Sequence, residues 1–471
     1  MKLFGHYVTR LFVVLAGLDA ALFMAALALL GGATRCEICE QTGLVGPNPF
    51  QAVLLTGAFL LITSSVGLYN TDTVREFRTF LKRFLLASQL IFIGSLLVVG
   101  FGGAVAGSRF GWYLIFFSIG IAGFLGVLFS LHLALAWCLG LPFMKRRILV
   151  LGEGQYAEAI VDYLEGPGRS HFRHLRTIPS WRPSGGRPRL GNVLLKIAPE
   201  ERPSIWGVAQ ELHADEIVVA ADDRRGLPVA ELLECKLQGV SVVDALTFWE
   251  REVGQIDPVH VGAGWLTFSG GFALDRRRRA MKRLFDIVIS ALFLLAILPV
   301  AALTALAIRI ESRGPVFYRQ ERVGLYGKIF RVWKFRSMRA DAEGDGVPRW
   351  AQTTDDRVTR VGRFIRKVRI DEIPQVFNVL AGDMSFIGPR PERPFFVEQL
   401  REQIPHYDLR HRVRPGITGW AQVNYPYGAS IEDATRKLAY DLYYLKKNDL
   451  LLDFAILVQT VRVVLFAHGA R

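Results

Sequence analysis

The chemistry-bearing residues are densest in one stretch, "KVRIDEIPQVFNVLAGDMSFIGPRPERP", residues 367–394. Asp371 and Glu372 are adjacent carboxylates near its start, and Arg390 stands between Pro389 and Pro391. Mg²⁺ is commonly held by one or two carboxylates together with phosphate oxygens, which makes Glu372 beside Asp371 a candidate ligand. A guanidinium on a stiff, proline-flanked segment suits bidentate contact with phosphate. Upstream, Phe330, Val332, Lys334 and Arg336 alternate as on a strand, so Lys334 and Arg336 share a face. "VTRVGRFIRKVRIDE" adds Arg360, Arg363, Arg366, Lys367 and Arg369. Cations that neutralise a diphosphate, a metal and a carboxylate that attacks phosphorus together describe phosphoryl transfer.

These residues need elements to hold them. "DEIPQVFNVLAGD" reads as a helix of about three turns, apolar at Ile373, Val376, Phe377 and Leu380, with Gly382 as its stop. Asp371 then falls at the N-cap or in the first turn. A cap role alone would explain that aspartate, but a helix N-terminus also attracts phosphate. Before the basic strand runs an apolar stretch, Leu284–Ile308, with Arg276 to Arg279, Lys282 and Arg283 on one side and Arg309 and Arg313 on the other. It is long enough to span a bilayer, yet both ends are cationic and Pro299 interrupts it. A fifth span and a re-entrant helix that turns back within one leaflet both fit. A last apolar segment, residues 453–466, reads as a core or an interfacial helix, and the interface is preferred.

The rest of the chain has a membrane character. Of 471 residues 51% are hydrophobic, and the net charge is +14, a balance that suits an anionic membrane face. No nucleic-acid-binding signature is present. Four apolar runs, about Leu11–Leu30, Phe50–Tyr69, Phe84–Val105 and Phe110–Trp137, each suffice to cross a bilayer. Basic residues flank them so that the N-terminus and everything after Lys145 are expected in the cytoplasm. Asp19 lies inside the first run with no evident partner. The lone CxxC, Cys36 and Cys39, falls in an outer loop and lacks the second ligand pair of a zinc site; its redox state stays open. "RRILVLGEGQYAEAIVDYLE" is a strand, a GxGxxA turn and a helix, which opens a dinucleotide-type unit. The acidic residue that would hold a ribose is missing, so a Rossmann-like fold without nucleotide is expected. Strands follow in "ADEIVVAADD" and "GVSVVDAL". His171 and His174 have no carboxylate or cysteine near them in sequence and read as surface residues.

From about Lys282 to Phe466 the chain resembles the bacterial sugar transferase family, the monotopic phosphoglycosyl transferases. The resemblance is carried by "KRLFD", "KFRSM", "GRFIRKVRIDEIPQVFNVLAGDMSFIGPRPE", "RHRVRPGITGWAQVN" and "YDLYYLKKNDLLLDFAIL". The four spans and the Rossmann-like insert resemble its large members, and "QVNYPYGASIEDA" resembles a subgroup tied to exopolysaccharide export. The resemblance implies a four-helix transmembrane bundle (1–143), a Rossmann-like cytoplasmic domain (144–274) and an α/β catalytic domain with a re-entrant helix (275–471). It implies transfer of hexose-1-phosphate from a UDP-sugar to a polyprenyl (undecaprenyl) phosphate, with release of UMP, at the cytoplasmic face of a bacterial inner membrane. On that resemblance Asp371 is the nucleophile and forms a phosphosugar-aspartyl intermediate. Glu372 helps hold Mg²⁺, Arg366 and Arg390 bind anions, and Lys334 and Arg336 flank the same site. Lys282, Arg283 and Pro299 match the membrane-entering helix that brings the lipid phosphate to the site, which favours the re-entrant over the fifth-span reading. Small members carry Gly-Arg where this chain has Tyr425-Pro426, a departure that leaves the sugar open.

Two other readings compete. A membrane-bound nucleotide-sugar dehydratase would share the spans and the insert, and Tyr443 and Lys447 have the spacing of its catalytic pair. A non-catalytic scaffold for polysaccharide assembly would not need the Asp-Glu pair. A homodimer, through the insert or otherwise, is left open.

Overall fold

The computed structural model describes residues 2–3, 6–7, 10–33, 49–69, 77–106, 124–134, 145–166, 172–179, 204–221, 226–272, 275–338, 357–426, 428 and 430–466. Cys36, Cys39, His171 and Tyr427 lie outside them. The chain forms two compact units, divided between Phe248 and Trp249.

The first unit opens with helices α1 (Arg10–Ala33), α2 (Pro49–Val66), α3 (Phe77–Ala106) and α4 (124–134). Pro49 begins α2, where its missing N–H costs nothing. The hydroxyls of Thr56 and Thr63 bond to Ala52 O and Phe59 O one turn back, so these polar groups are satisfied within an apolar helix. Phe23, Phe59 and Phe124 pack ring to ring and join α1, α2 and α4. Asp19 does have a partner. His132 on α4 brings Nε2 to 3.7 Å from its carboxylate, and both side chains are fully buried.

The same unit then builds a parallel sheet from β1 (Arg146–Leu151), β2 (Phe172–Ile178), β3 (Glu216–Val219) and β4 (Ser241–Asp244), in the order β2-β1-β3-β4. The strands read in "RRILVL", "EIVV" and "SVVD" are present, and α5 (Gln155–Glu165) follows the glycine turn. Gly152 is required there: its φ is +141°, and a Cβ would meet the Ala220 backbone. His174 is not isolated, since its ring bonds to Glu165 and Thr177 at 2.9 and 3.1 Å.

The second unit is organised around one long helix, α6 (Arg276–Glu311). Among the described residues it is the helix long and apolar enough to cross a membrane. It runs unbroken past Pro299, about 54 Å at 1.5 Å per residue. One face is built into the unit: Phe293, Ile297, Ala301, Ala305 and Ile308 pack with Phe335, Ile365, Ile370 and Ile373. The opposite face exposes Leu284, Leu292, Leu295, Leu303, Leu306 and Ile310. The hairpin β5 (Phe317–Val323) and β6 (Ile329–Phe335) follows, then α7 (Arg360–Lys367), α8 (Gln375–Ala381) and β7 (Ser385–Ile387). β7 pairs in parallel with β8 (Gly416–Thr418), and α9 (Ile431–Lys447) and α10 (Leu450–Phe466) close the core. Residues 249–272 belong to this unit: Glu250 pairs with Lys446 and Lys447, and Trp420 donates to Gly254 O. α10 is both core and surface, burying Leu452, Asp453 and Ile456 while exposing Leu451, Phe454 and Val461.

Candidate active site

The expected three-turn helix beginning at Asp371 is shorter and starts later. Asp371 and Glu372 occupy a separate 3-10 turn, Ile370–Glu372, and α8 begins only at Gln375, after Pro374. A proline is welcome in the first turn of a helix and breaks hydrogen bonding to the turn before it. Asp371 is therefore not the cap of α8, and no phosphate-binding helix end forms there. Arg369 enters the turn in the left-handed conformation, φ 60°, which turns the chain sharply out of α7. Gly382 does end α8, with φ +96° and its N–H on Asn378 O and Val379 O.

Three segments meet at Glu372. From β6, Lys334 Nζ lies 3.2 Å from Oε1. From the segment after β7, Arg390 reaches Oε1 through Nη2 at 2.7 Å and Oε2 through Nη1 at 3.4 Å. Arg369 Nη1 stands 4.0 Å from Oε2. Asn378 on α8 locks β6 in place, accepting from Trp333 N at 2.9 Å and donating to Arg331 O at 2.8 Å. Arg366 projects from the last turn of α7, where a cation complements the helix dipole, and its charge acts on Asp371.

The two carboxyls are pushed apart. Burial raises the Asp371 pKa, and the charge of Glu372 raises it further against the pull of Lys334, Arg366 and Arg390. Burial opposes ionisation of Glu372 too, but Arg390 and then Lys334 outweigh it and hold that carboxyl well below the usual range. Burial lowers Lys334, partly offset by Glu372. One acid is a fixed anion, and its neighbour is a costly one, the pattern of a site with divided acid–base roles.

The segment carrying Arg390 is anchored through its carbonyls, since Pro389 and Pro391 have no N–H to offer. Pro389 O accepts from Gly416 N at 2.9 Å, Arg390 O from Arg410 Nη2 at 3.0 Å and Pro391 O from Arg322 Nη1 at 3.0 Å. Arg322 and Arg410 have no local signal in the sequence, since their partners lie 69 and 20 residues away.

Other expected residues point elsewhere. Arg336 lies just beyond β6 and binds Ser312 O, Ser312 Oγ and Arg313 O, at the far end of α6. Lys282 pairs with Asp453 at 2.9 Å. Arg283 donates to Val379 O and Leu380 O, at 2.5 and 2.8 Å, and so caps α8. Pro299 lies on the exposed side of α6. Among the described residues no three His, Cys, Asp or Glu converge on a metal site. The Asp371–Glu372 pair still fits Mg²⁺ in the form that ion usually takes, with few protein ligands and the remainder from phosphate and water: a buried carboxyl and its half-buried, mutually repelling neighbour are relieved by a cation.

The bacterial sugar transferase family profile matches residues 277–467. A UDP-glucose:undecaprenyl-phosphate glucose-1-phosphate transferase of Caulobacter vibrioides is 37% identical over 264 residues, 52% of this chain and 98% of that protein. The chain belongs to the bacterial sugar transferase family. A UDP-N-acetylgalactosamine-undecaprenyl-phosphate N-acetylgalactosaminephosphotransferase of Aeromonas hydrophila is 42% identical over 250 residues, 53% of this chain and 58% of that relative. A UDP-glucose:undecaprenyl-phosphate glucose-1-phosphate transferase of Escherichia coli is 46% identical over 185 residues, 39% of this chain and 40% of that relative. The matches thus span about half the length of these last two sugar transferases. The region matched by the family profile contains α6, the Asp371–Glu372 turn and the Arg390 segment.

Proposed function

We propose that this sugar transferase moves a hexose-1-phosphate from a UDP-sugar to undecaprenyl phosphate, with release of UMP, as the first step of exopolysaccharide repeat-unit assembly. The reading is carried by one observation: Lys334 and Arg390 clamp Glu372 at 3.2 and 2.7 Å and hold its carboxyl low, while burial and the Glu372 charge raise the carboxyl of the adjacent Asp371. A poorly solvated carboxylate is an activated nucleophile. An Asp371 oxygen attacks the sugar-bearing phosphorus, the P–O bond to UMP breaks, and a phosphosugar-aspartyl ester forms. An oxygen of the lipid phosphate then attacks the same phosphorus and frees the Asp371 carboxylate. Lys334, Arg366 and Arg390 stabilise the charge that develops on the phosphoryl oxygens. Mg²⁺, with Asp371 and Glu372 as its protein ligands, would neutralise diphosphate charge.

The way α6 is docked supports the membrane arrangement of this reading. Arg283 binds its near end to α8, and Glu311 binds its far end to α7, accepting from Arg360 N and Val361 N. A helix crossing the bilayer would draw the unit docked along it into hydrocarbon. Seated with its outward leucines in one leaflet, α6 leaves the site at the cytoplasmic surface, where UDP-sugars are. The finer architecture completes the proposal: α1–α4 belong to a four-span bundle in the inner membrane, and β1–β4 belong to a Rossmann-like insert that lies in sequence between that bundle and the second unit.

The dehydratase reading has no support at Tyr443 and Lys447. Tyr443 is buried against Trp420, and Lys447 pairs with Glu250 at 2.9 Å. The test is UMP release from UDP-glucose, UDP-galactose and their N-acetyl forms by membranes carrying native protein or Asp371→Asn. Native turnover with a mass-detected phosphosugar adduct on Asp371 supports the proposal. Full turnover by the variant, or none by native protein on any donor, overturns it.

A further inference from the structure

Arg390 is itself held by a second, wholly buried layer. Arg410 is 7% exposed and Asp441 1% exposed. Arg410 Nη2 lies 3.0 Å from Arg390 O and 2.9 Å from Asp441 Oδ2, and Nη1 donates to Tyr407 Oη at 2.7 Å. One guanidinium thus joins α9, the 3-10 turn Tyr407–Arg412 and the segment whose side chain grips Glu372. Two buried charges cost several kcal/mol to desolvate, and apolar residues of equal volume would serve stability as well or better. A pair kept in spite of that cost points to a positional task. The task is visible in the flanking prolines: a segment with so few N–H groups is fixed by what binds its carbonyls, and Arg410 takes the central one.

We propose that Arg410 and Asp441 are positioning residues for the transfer, a relay that runs Asp441–Arg410–Arg390–Glu372 and aims the Arg390 guanidinium at the reacting diphosphate. Neither touches substrate; they act through Arg390. This rests on the reading of the site given above. Lysine at 410 cannot serve, because its single ammonium lacks the planar fork that hydrogen-bonds Tyr407 Oη and Arg390 O while ion-pairing with Asp441. The relay responds to protonation of Asp441. Burial raises that carboxyl to about 6 against the pull of Arg410 and Lys437, with Glu392 adding to the rise. Tyr407 and Arg410 are the other ionisable groups facing it, and Arg410 stays charged throughout. As pH falls through that value, Arg410 loses its counter-ion and the Arg390 segment loosens.

The test uses the full chain in membranes. Steady-state UMP release is followed from pH 5 to 8 for native protein, Asp441→Asn, Arg410→Lys and Tyr407→Phe. Hydrogen exchange of the peptide containing Arg390 and Glu392 is measured at pH 7 on the same samples. The relay requires a fall in kcat of about tenfold or more in Asp441→Asn and Arg410→Lys, as is common when an orienting partner is lost. It also requires a native acid limb near pH 6 that is absent from Asp441→Asn, and faster exchange at Arg390. Tyr407→Phe keeps the ring and the ion pair, guards against simple misfolding and should lose less. Native-like kcat and acid limb in Asp441→Asn overturn the relay while leaving the transferase reading intact. If native protein turns over no donor, that reading fails, and the exchange comparison alone decides the relay: unchanged protection in both charge variants sinks it, and faster exchange upholds it.

Discussion

At the scale of single residues, the site sets stability against chemistry. Asp371 has a raised pKa, so its ionised form costs folding energy at neutral pH, a cost that disappears as pH falls through the folded value toward the unfolded one near about 4. Asp371→Asn should therefore melt at or above native protein at pH 7, with the difference shrinking as pH approaches 4, while transfer falls on the order of 10³-fold or more. Thermal melts across pH and UMP assays check the two halves. Glu372 has the opposite sign: its pKa is depressed, so its stabilisation is present above the unfolded value near about 4.3 and is lost only in strong acid. Glu372→Ala leaves Lys334 and Arg390 without the carboxylate they directly clamp and should cost roughly 2–3 kcal/mol, measured by denaturant unfolding, less than a fully buried pair because Arg390 is one quarter exposed. Arg390→Lys keeps the charge but not the fork on Glu372, and should lower kcat about tenfold without restoring wild-type rate at saturating UDP-sugar.

At the scale of elements, the parts that aim these residues depend on a few caps and close approaches. α7 begins with Thr359 accepting from Gly362 N at 2.9 Å and with the Glu311 carboxylate on Arg360 N and Val361 N. Glu311→Ala should cost about 1 kcal/mol and reduce activity as well, because Arg366 rides on the helix so loosened; melting temperature and turnover are the measurements. Gly362→Ala should be worse, at about 2 kcal/mol or more, since a Cβ would strike Ser337 O. Local pattern in the sequence carried some of this: the alternation around Lys334, the stop at Gly382 and the strand–turn–helix at Gly152 all rest on near neighbours. Pro374 is visible too, but the apolar spacing from Ile373 to Leu380 masks its effect by continuing across a break in the hydrogen bonds. The inward turn of Arg283 and Lys282, the Arg336 contact with Ser312 and the clasp of Arg410 had no local signal. Each joins groups from 20 to 171 residues apart, and an arginine bound for a carbonyl looks in sequence like one bound for a phosphate.

At the scale of the whole molecule, the outward face of α6 is a row of exposed apolar side chains and the inward face is built into the unit. Replacing Leu295, Leu303 and Ile310 together with serine should release a preparation of the second unit from vesicles in flotation assays with little change in its melting temperature, because all three are already exposed. Replacing Phe293 or Ile308 with alanine should do the reverse: retain binding and lose about 2–4 kcal/mol of stability. In Asp286 the same helix also carries an acceptor for Ser385 Oγ and Phe386 N, so β7 hangs directly from it. This has a practical corollary. Truncating the greasy segment to obtain a water-soluble enzyme would remove a wall of the catalytic domain, along with the hook for β7 and the clamp on α7. A solubilised version has to keep all thirty-six residues and repaint only their outer side.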